Sequence, residues 1–430
     1  MHKVIISNGV FRFHLVSAAV EAARRGALDM FLTGAYPTGR LIGPTARWIA
    51  RLSPPVARFL DRASSGLPES RVKSVWLAEL FIQFGVACGK LLHLHDLNNR
   101  LQSIGLLLYG WLARRPIARS QAQIYHYRAG YGGSSVDLAK RMGMLCLCDH
   151  SIASPLVLEF MVDHGGVIPT PDLIPRTKLS PMWKRVMADI DAADHVLVNS
   201  EFVRTTLMLH RTPKNKISVV YQGLDEKFVD CVPPAAQPSG ANHILFAGEV
   251  SRRKGFDLVI QALEATASKD WVLTVAGGIN EKERHIYQAF LSRSNVHHLG
   301  FVSRQKLAEL MSGIPIFLFP SLAEGSARVV FEALACGCYV ITTPNAGSVV
   351  EDGVHGSLVP PGDAALLRLA IEKALNDPSL VRDIGVRNRT FVRDQHSQDK
   401  YGDQLNALYG KLLVARGSRR TESIKTNSLS

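Results

Sequence analysis

Two acidic residues, Glu324 and Glu332, stand eight positions apart around a predicted junction between a strand and a helix. The apolar run 314–319 predicts a buried parallel strand, and the apolar periodicity after it predicts a helix from near Ser326 to Gly337. Glu324 then lies on the loop at the carboxyl end of the strand, and Glu332 lies about two turns into the helix. Carboxylates at these places can accept hydrogen bonds from the hydroxyl groups of a sugar and a ribose.

The backbone between the two acids suits a phosphate group. Gly325 permits close approach of a ligand to the main chain, and the first turn of the helix presents free amides with a partial positive charge. This stretch therefore predicts a nucleotide-sugar site. From spacing alone, a loop carboxylate at Glu324 and a solvated helix position at Glu332 stay open as alternatives.

A second loop carries three basic residues between a predicted strand and a predicted helix. Gly248 permits a tight turn, and Arg252, Arg253 and Lys254 follow it. An ammonium group at Lys254 would stabilise the negative charge that develops on a diphosphate leaving group. The alternative from the residues alone is a basic surface turn.

His150 follows the predicted strand 144–148, directly after Asp149. A single histidine is more often a structural residue than a functional one. If the strand continued through His150, then Cys146, Cys148 and His150 would share one face and form a candidate metal site. No second ligand group at finger-like spacing occurs in the sequence, so no metal is expected.

The series Glu-Gly-Ser at 324–326, Glu332, and Ala-Leu-Ala-Cys-Gly at 333–337 resembles the sugar-nucleotide motif of retaining glycosyltransferases of family 4. The resemblance continues through 340–347 and 353–363 and covers residues 123–363 well. It implies the GT-B fold, an α/β architecture in which two Rossmann-like doubly wound domains face each other across a cleft. It also implies a nucleotide-sugar donor as substrate, with no cofactor and no metal.

The resemblance implies a role for each of these residues. His150 would contact the donor sugar, Lys254 would stabilise the leaving diphosphate, and Glu324 would hold the sugar and phosphate, so these three are the predicted catalytic residues. Glu332 would bind the ribose. The other donor-binding residues that it implies are Gly248, Arg252, Arg253, Gly325, Ser326 and Ala327.

Two places differ from the family pattern. Glu249 stands where the family usually has Arg, and Arg252 or Arg253 would substitute for that Arg from the same loop. Asn8 and Gly9 match the glycine-rich first loop, on the acceptor side, only in part, because the usual pair of glycines is reduced to one.

The chain carries a formal net charge of +13, which indicates an anionic partner. Residues 40–119 contain 12 Lys and Arg against 4 Asp and Glu, so much of the surplus lies there. No zinc-finger spacing, RNA-binding aromatic motif or basic region linked to heptads is present, so an anionic membrane surface fits better than nucleic acid. From the sequence we expect no membrane span, no leader peptide and reduced cysteines. We therefore expect a cytoplasmic protein, peripheral at the inner face of the cell membrane.

Alternating strand and helix patterns predict two domains in the 430 residues. The first, 1–225, includes a basic helical insert at about 36–119, and the resemblance implies that this domain would handle the acceptor. Within that insert an apolar helical face is expected to be mostly core; it consists of Trp76, Leu77, Leu80, Phe81, Phe84 and Cys88. A linker at 226–241 precedes a nucleotide-sugar-binding domain at 242–388. Helices at 389–416 would pack back on the first domain, and 417–430 would be a disordered tail.

Together these patterns predict a retaining glycosyltransferase that moves a sugar from a nucleotide donor to a hydroxyl of a glycan or lipid-linked acceptor. Two alternatives remain open: a sugar-nucleotide epimerase of the same fold, and a non-catalytic membrane-associated scaffold that binds sugar nucleotide or glycan.

Overall fold

The computed structural model describes the chain except for residues 1, 12, 38–52, 61, 65, 92–94, 234–239, 241, 269 and 428–430. Residues 47–52 of the insert, and residues 234–239 and 241 of the predicted linker, therefore lie outside the described residues. The described residues form two parallel sheets, each with helices on both faces.

The first sheet has seven parallel strands in the order β3-β2-β1-β4-β5-β6-β7. Its strands are β1 (Val4–Ser7), β2 (Leu28–Thr33), β3 (Val72–Ser74), β4 (Ile124–Arg128), β5 (Leu145–His150), β6 (His195–Val198) and β7 (Ile217–Val219). The strand order reverses between β1 and β4. In sheets of this kind, ligands bind outside the carboxyl ends of the strands at that reversal.

The second sheet has six parallel strands in the order β10-β9-β8-β11-β12-β13. Its strands are β8 (His243–Ala247), β9 (Val272–Ala276), β10 (Val296–Gly300), β11 (Ile316–Phe319), β12 (Tyr339–Thr342) and β13 (Gly356–Leu358). The central strands are continuous apolar runs because helices cover both of their faces. Here the order reverses between β8 and β11, the strands that lead into the two loops predicted to bind the donor.

The helices alternate with the strands in both domains. In the first domain they are α1 (Leu15–Arg24), α2 (Pro54–Leu60), α3 (Trp76–Leu91), α4 (His95–Ile117), α5 (Ser134–Arg141), α6 (Pro155–Asp163), α7 (Pro181–Ala192) and α8 (Glu201–Leu209). After them come α9 (Glu226–Val229), α10 (Phe256–Ala265), α11 (Arg284–Leu291), α12 (Arg304–Gly313), α13 (Arg328–Cys336), α14 (Ala364–Asn376), α15 (Pro378–Gln395) and α16 (Gln398–Asn427).

The insert forms a pair of packed helices, α3 and α4, and its apolar face is not core. Trp76, Leu77, Leu80 and Phe84 are each about half exposed or more, so the prediction that this face is mostly buried was wrong. The opposite side of α3 packs inwards instead, where the side chain of Ile82 lies against the main chain at Gly105. The periodicity identifies an apolar helical face, but it does not say which surface covers that face.

The last helix, α16, packs on the first domain. Its Tyr401, Leu405 and Tyr409 are buried in one cluster with Val4 and Ile6 of β1. The chain crosses between the domains twice at adjacent points, since the amide of Leu224 donates to the carbonyl oxygen of His396 at 2.8 Å.

Two described segments differ from the predicted domain plan. The predicted linker contains the short helix α9, and α16 continues to Asn427 where a disordered tail was expected from Gly417. A polar composition excludes a buried face, but Arg, Glu and Lys are good helix formers, so an exposed helix can extend through it.

Candidate functional site

The junction between β11 and α13 has the predicted form, with the helix starting slightly later. Helix α13 begins at Arg328, and Ala327 is its N-cap, so Ser326 and Ala327 belong to the loop. Gly337 ends the helix in the left-handed conformation at φ 85°, as expected of a helix-terminating glycine. Glu324 lies on the loop and Glu332 lies inside the helix, as the sequence predicts.

A cavity of about 570 Å³ opens at the carboxyl ends of β8 and β11. It lies at the reversal of strand order, the usual ligand site of such sheets. The structure therefore brings together residues from two loops that are about 70 positions apart in the chain. The predicted donor residues that line it are Gly248, Arg253, Lys254, Glu324, Ser326, Ala327 and Glu332.

One acidic and two basic side chains meet in this cavity. The ammonium of Lys254 forms an ion pair with Glu324, and Nη1 of Arg253 lies 2.9 Å from the same Oε1 atom. Arg253 also donates to the carbonyl oxygen of Ala323 at 3.1 Å. Burial lowers the pKa of Lys254, and the Glu324 charge acts in the opposite direction. The cluster can present two cations to a diphosphate once Glu324 turns to another partner.

Glu332 is the second carboxylate of the cavity. Burial in the helix raises the pKa of its carboxyl, and the charge of Arg328 acts in the opposite direction. Its carboxylate accepts no hydrogen bond from any residue that the structure describes. A largely buried carboxylate that faces a cavity without a partner is placed to accept hydrogen bonds from a ligand.

The amides near the helix start are not all free. The amide of Ala327 donates to the carbonyl oxygen of Ala346 at 2.9 Å, so it does not grip a phosphate as the sequence predicts. The first-turn amides of Arg328 and Val329 have no acceptor within the helix and border the cavity instead. The free amides of this junction therefore lie at the true start of α13 and not at Ala327.

Gly325 has a different role from the predicted one. A Cβ atom at Gly325 would lie 2.2 Å from the carbonyl oxygen of Ser151, so the side-chain space is filled by the first domain. The hydroxyl of Ser200 also donates to the carbonyl oxygen of Gly325 at 2.5 Å. Glycine is therefore required here for contact between the domains, and this contact holds the donor loop against the loop after β5.

The two predicted arginines of the basic loop separate in the structure. Arg253 faces the cavity, whereas Arg252 does not line it. The amide of Arg252 donates to the Glu283 carboxylate at 2.8 Å, and its side chain is about half exposed. Of the two arginines predicted to bind the donor, only Arg253 therefore lines the cavity, and Arg252 is directed away from it. Gly255 has φ 73° and directs the chain into α10.

His150 ends β5 and is buried beside the ring of Trp183 at 5.9 Å. Burial lowers its pKa to about 4, so the imidazole is neutral near pH 7. Its Nε2 atom has no hydrogen-bond partner although it is buried. The side chain borders a small cavity of the first domain, together with Ser151 of the loop that contacts Gly325.

Asp149, the neighbour of His150, is the centre of a buried network. Its carboxylate oxygens lie 2.6 Å from Nε2 of His14 and 3.3 Å from Nε2 of His126. Nδ1 of His126 in turn lies 2.7 Å from the hydroxyl of Tyr409 on α16. Burial alone would raise the pKa of Asp149, but the two histidines together hold it well below its ordinary value.

Asn8 and Gly9 begin the loop after β1, at the carboxyl edge of the first sheet. The side-chain Nδ2 of Asn8 donates to the carbonyl oxygen of Phe11 at 2.8 Å, so this side chain stabilises the loop. Gly9 has φ 75°, and a Cβ atom there would lie 2.7 Å from the ring of Tyr131. Both residues shape the loop, and the side-chain oxygen of Asn8 is buried without a hydrogen-bond partner among the described residues.

A larger cavity of about 780 Å³ lies between the domains. His14 and Ser151 contribute to it from the first domain, and Ser326 and Arg328 contribute from the second. Because Ser326 and Arg328 also line the donor cavity, the two spaces adjoin. A second substrate in the cleft would thus meet the donor at the start of α13.

The sequence interpretation missed Phe301 and the phosphate-side position of Arg328. Phe301 follows β10 at the same edge of the second sheet, is 92% exposed, and lines the donor cavity. Its position directly after a predicted strand was the available signal, because all carboxyl ends of one parallel sheet meet at one edge.

The candidate metal residues of β5 are buried thiols. Burial raises the pKa of Cys146 to about 12 and that of Cys148 well above its usual range, so both are protonated. Among the described residues, no group of three or more His, Cys, Asp or Glu is arranged to hold a metal ion. Within the same described ranges, no helix has both the length and the apolar character needed to cross a membrane.

One family model matches part of the second half of the chain. Residues 233–391 match the family model described as glycosyl transferases group 1. The chain is 29% identical to alpha-1,3/1,6-mannosyltransferase ALG2 of Homo sapiens over 282 residues, which are 57% of this chain and 67% of that protein. Alignments with other curated glycosyltransferases span about half of their length.

Solved structures resemble nearly the whole chain. Sucrose-phosphate synthase of Thermosynechococcus elongatus aligns with a TM-score of 0.60 at 18% identity, covering 96% of this chain and 100% of that one. Alr3699/HepE of Anabaena, solved in complex with UDP and glucose, aligns with a TM-score of 0.59 at 14% identity, also covering 96% and 100%. The fold prediction is confirmed: two parallel α/β domains in the GT-B arrangement. The matches support a glycosyltransferase as the class of this protein.

Proposed function

We propose that the protein is a retaining glycosyltransferase that transfers a sugar from a nucleotide-sugar donor to a hydroxyl of a glycan or lipid-linked acceptor. The observation that carries the proposal is the cavity in which Lys254, Arg253, Glu324 and Glu332 surround the start of α13. These groups match the parts of a nucleotide sugar: cations and helix amides for the diphosphate, and carboxylates for the hydroxyls of sugar and ribose.

In the proposed reaction, the bond between the anomeric carbon and the donor diphosphate breaks while the acceptor oxygen bonds to that carbon. The acceptor proton passes to the departing diphosphate, so the products are the glycoside and a nucleoside diphosphate. Lys254 and Arg253 stabilise the charge that develops on the leaving group, and neutral His150 contacts the sugar. The sugar keeps its anomeric configuration, as the resemblance to retaining enzymes implies. No metal is required in this scheme, because the two cations and the amides of α13 supply the positive charge.

The exposed face of α3 and α4 supports an anionic membrane surface as the place of the reaction. Its apolar side chains are Trp76, Leu77, Leu80 and Phe84 on α3 and Ile104, Leu107 and Trp111 on α4. They follow helical spacing, and the exposed Lys73 and Arg115 lie close to them in sequence. Apolar residues that enter the lipid beside cations that meet anionic headgroups are typical of interfacial helices. A peripheral position at the inner membrane face would bring the first domain to a lipid-linked acceptor.

Calorimetry with UDP-, GDP- and ADP-sugars, together with the release of free nucleotide, tests the donor. We expect one class of sugar nucleotide to bind and to be hydrolysed slowly. Glu324→Ala and Glu332→Ala should each weaken that binding about tenfold or more. Glu309→Ala, an exposed glutamate on α12, serves as the matched control and should bind like the wild type. Failure of every sugar nucleotide to bind would refute the proposal.

Product formation with and without an acceptor separates the proposed transfer from an epimerase of the same fold. A transferase requires the acceptor for a new glycoside, whereas an epimerase converts the sugar nucleotide alone. Donor binding without either product would instead indicate the non-catalytic scaffold.

A further inference from the structure

Arg128 is the last residue of β4 and lies at the reversal of strand order in the first sheet, between β1 and β4. Its guanidinium carbon is 3.8 Å from the ring centre of Phe13 and 5.0 Å from that of Tyr131. The cation is thus held against two aromatic faces at the place where a doubly wound sheet usually binds its ligand. Nothing in the donor site uses this residue.

The guanidinium has more donors than partners. Its one hydrogen bond within the described residues runs from Nη1 to the carbonyl oxygen of Val10, at a long 3.4 Å. No carboxylate of the described residues forms an ion pair with it. Asp149 borders the same cavity, but its oxygens already face His14 and His126. A partly desolvated guanidinium with four N–H groups to spare is costly unless an anion completes it.

The cavity beside Arg128 has one polar end and one apolar wall. Its volume is about 150 Å³, enough for a small oxyanion group and part of an attached chain. Leu106, Met182 and Val186 form the apolar side. At the polar end, the buried Nε2 of His150 has no hydrogen-bond partner.

The surroundings argue against a purely structural anion at this place. The nearby start of α5 already has its carboxylate, because Asp189 accepts hydrogen bonds from the amides of Gly132 at 2.7 Å and Gly133 at 2.9 Å. The cavity also shares Phe13 and Ser151 with the large cleft between the domains, so it opens toward the reaction space.

We infer that Arg128 forms a subsite of the first domain for an organic phosphate that carries an apolar chain, the anionic part of the acceptor. The unpaired N–H groups of Arg128 bind the phosphate oxygens, and the Leu106 side of the cavity accommodates the first carbons of the chain. The inference rests on the proposed transfer to a lipid-linked acceptor, and it names the chemical group by which that acceptor is recognised. Leu106 lies on α4, the helix that carries the exposed Leu107 and Trp111, so the subsite lies behind the proposed membrane face.

Binding of octyl phosphate, measured by calorimetry below its micelle concentration, tests the subsite. We expect one molecule to bind per chain, and Arg128→Met to weaken its binding at least about tenfold, because a charge-assisted contact is lost. Arg128→Lys should recover part of the loss, since it keeps the charge but not the planar fork. Equal affinity of wild type and Arg128→Met would overturn the inference.

Two further probes identify the source of the phosphate. Inorganic phosphate should bind at least about tenfold more weakly than octyl phosphate, because it lacks the apolar contacts. Octyl glucoside, a neutral amphiphile, should not respond to Arg128→Met. If inorganic phosphate bound as tightly as octyl phosphate, the subsite would be one for a free anion, and its assignment to the acceptor would be wrong.

Control variants distinguish a local effect of Arg128 from a change in net charge or in folding. Arg141→Met removes an exposed arginine at the end of α5 that does not line the cavity, and it should leave octyl phosphate binding unchanged. Sugar-nucleotide binding by Arg128→Met should stay within about twofold of the wild type, which shows that the domain remains folded and that the donor site is separate. If the wild type bound no sugar nucleotide, the proposed function would be refuted but the subsite would not. If octyl phosphate bound equally well to the wild type and to Arg128→Met, the subsite alone would be refuted.

Discussion

The ammonium of Lys254 and the carboxylate of Glu324 form an ion pair inside the donor cavity, although the two residues come from separate loops of the second domain. Arg253 contacts the same carboxylate oxygen. In the proposed function, a donor diphosphate would take the place of Glu324 beside these two cations. Glu324 would then be free to accept hydrogen bonds from the sugar hydroxyls, so donor binding would exchange one set of charge-assisted contacts for another.

Replacing Lys254 by Met should weaken binding of the nucleoside diphosphate by roughly 10- to 100-fold, since one charge-assisted contact is worth about 1.5–3 kcal/mol. Binding of the corresponding nucleoside should change by less than about twofold, because Lys254 serves the phosphates. Calorimetry with both ligands measures the two effects. Lys373→Met, on the exposed side of α14, is the matched control. Equal losses for nucleoside and nucleoside diphosphate would place Lys254 away from the phosphates.

Glu332→Gln should stabilise the free protein while it weakens ribonucleotide binding. Burial raises the pKa of Glu332, so the folded state holds its proton more tightly than the unfolded state does. The contribution of this carboxyl to stability is then present at low pH and is lost as pH rises through the raised pKa. Urea denaturation should show the variant gaining about 1 kcal/mol on the wild type between pH 4 and pH 7.5. A gain at low pH instead would contradict the sign.

Phe301→Ala should lower nucleotide affinity with little effect on folding. The ring is 92% exposed and lines the donor cavity, so it has an open face for a base. Stacking of a base on an aromatic ring is worth about 1–3 kcal/mol, which predicts a loss of roughly 5- to 100-fold. Calorimetry measures the affinity and thermal unfolding measures the stability. Val386→Ala, which truncates another exposed apolar side chain of this domain, should change neither.

The double variant Leu80→Glu, Phe84→Glu should lose binding to vesicles that contain phosphatidylserine. Both side chains are exposed, at 52% and 65%, so the fold should keep its thermal stability. Each apolar group buried in lipid is worth about 1.5–3 kcal/mol, and a reduction of at least about tenfold is expected in cosedimentation. Val414→Glu changes an equally exposed apolar residue of α16 and should bind normally. Wild-type binding that did not weaken with salt would argue against the anionic surface.

Asp149→Asn should destabilise the protein by about 3 kcal/mol at neutral pH, because it breaks a buried charged network. Burial by itself would raise the pKa of Asp149, but His14 and His126 more than offset it and the net pKa is depressed. Its stability contribution is therefore present above the unfolded pKa near 3.9 and is lost as pH falls below that value through the depressed folded pKa. Urea denaturation at about pH 7 and about pH 3 should show the deficit of the variant shrinking at the lower pH. Asp383→Asn, an exposed aspartate on α15, should show no such trend.

The sequence allowed much of the donor site to be predicted because parallel strands end at one edge. Once β8 and β11 were recognised, their following loops had to meet, which brought Lys254, Glu324 and Glu332 together. Which of Arg252 and Arg253 faces the cavity depends on the direction of their side chains in one short turn, and the apolar periodicity of the sequence does not predict that direction. The amide of Ala327 is not available to a ligand because it donates to the carbonyl oxygen of Ala346, a residue distant in sequence, and this contact could not be predicted either.

The side of a helix that packs against the rest of the protein was the feature that the sequence predicted least well. The spacing of Trp76, Leu80 and Phe84 correctly indicates one side of a helix, yet the side that packs inwards carries Ala78 and Ile82. Ala78 permits close helix packing and Ile82 adds a single large apolar side chain, a pattern that is weak in a single sequence. Arg128 likewise could not be singled out from the sequence. Only the fold places its guanidinium between two aromatic rings, where no carboxylate of the described residues forms an ion pair with it.

The last helix of the chain also sets the order in which the two cores can be completed during synthesis. Tyr401, Leu405 and Tyr409 belong to the same buried cluster as Val4 and Ile6, whereas the core of the second domain is formed by residues between Leu224 and Val392. Translation releases the chain from its amino end, and domains generally fold as units as they emerge. The second domain therefore has all of its core residues before the first has received its final helix. The domain that leaves the ribosome first is the one that finishes folding last.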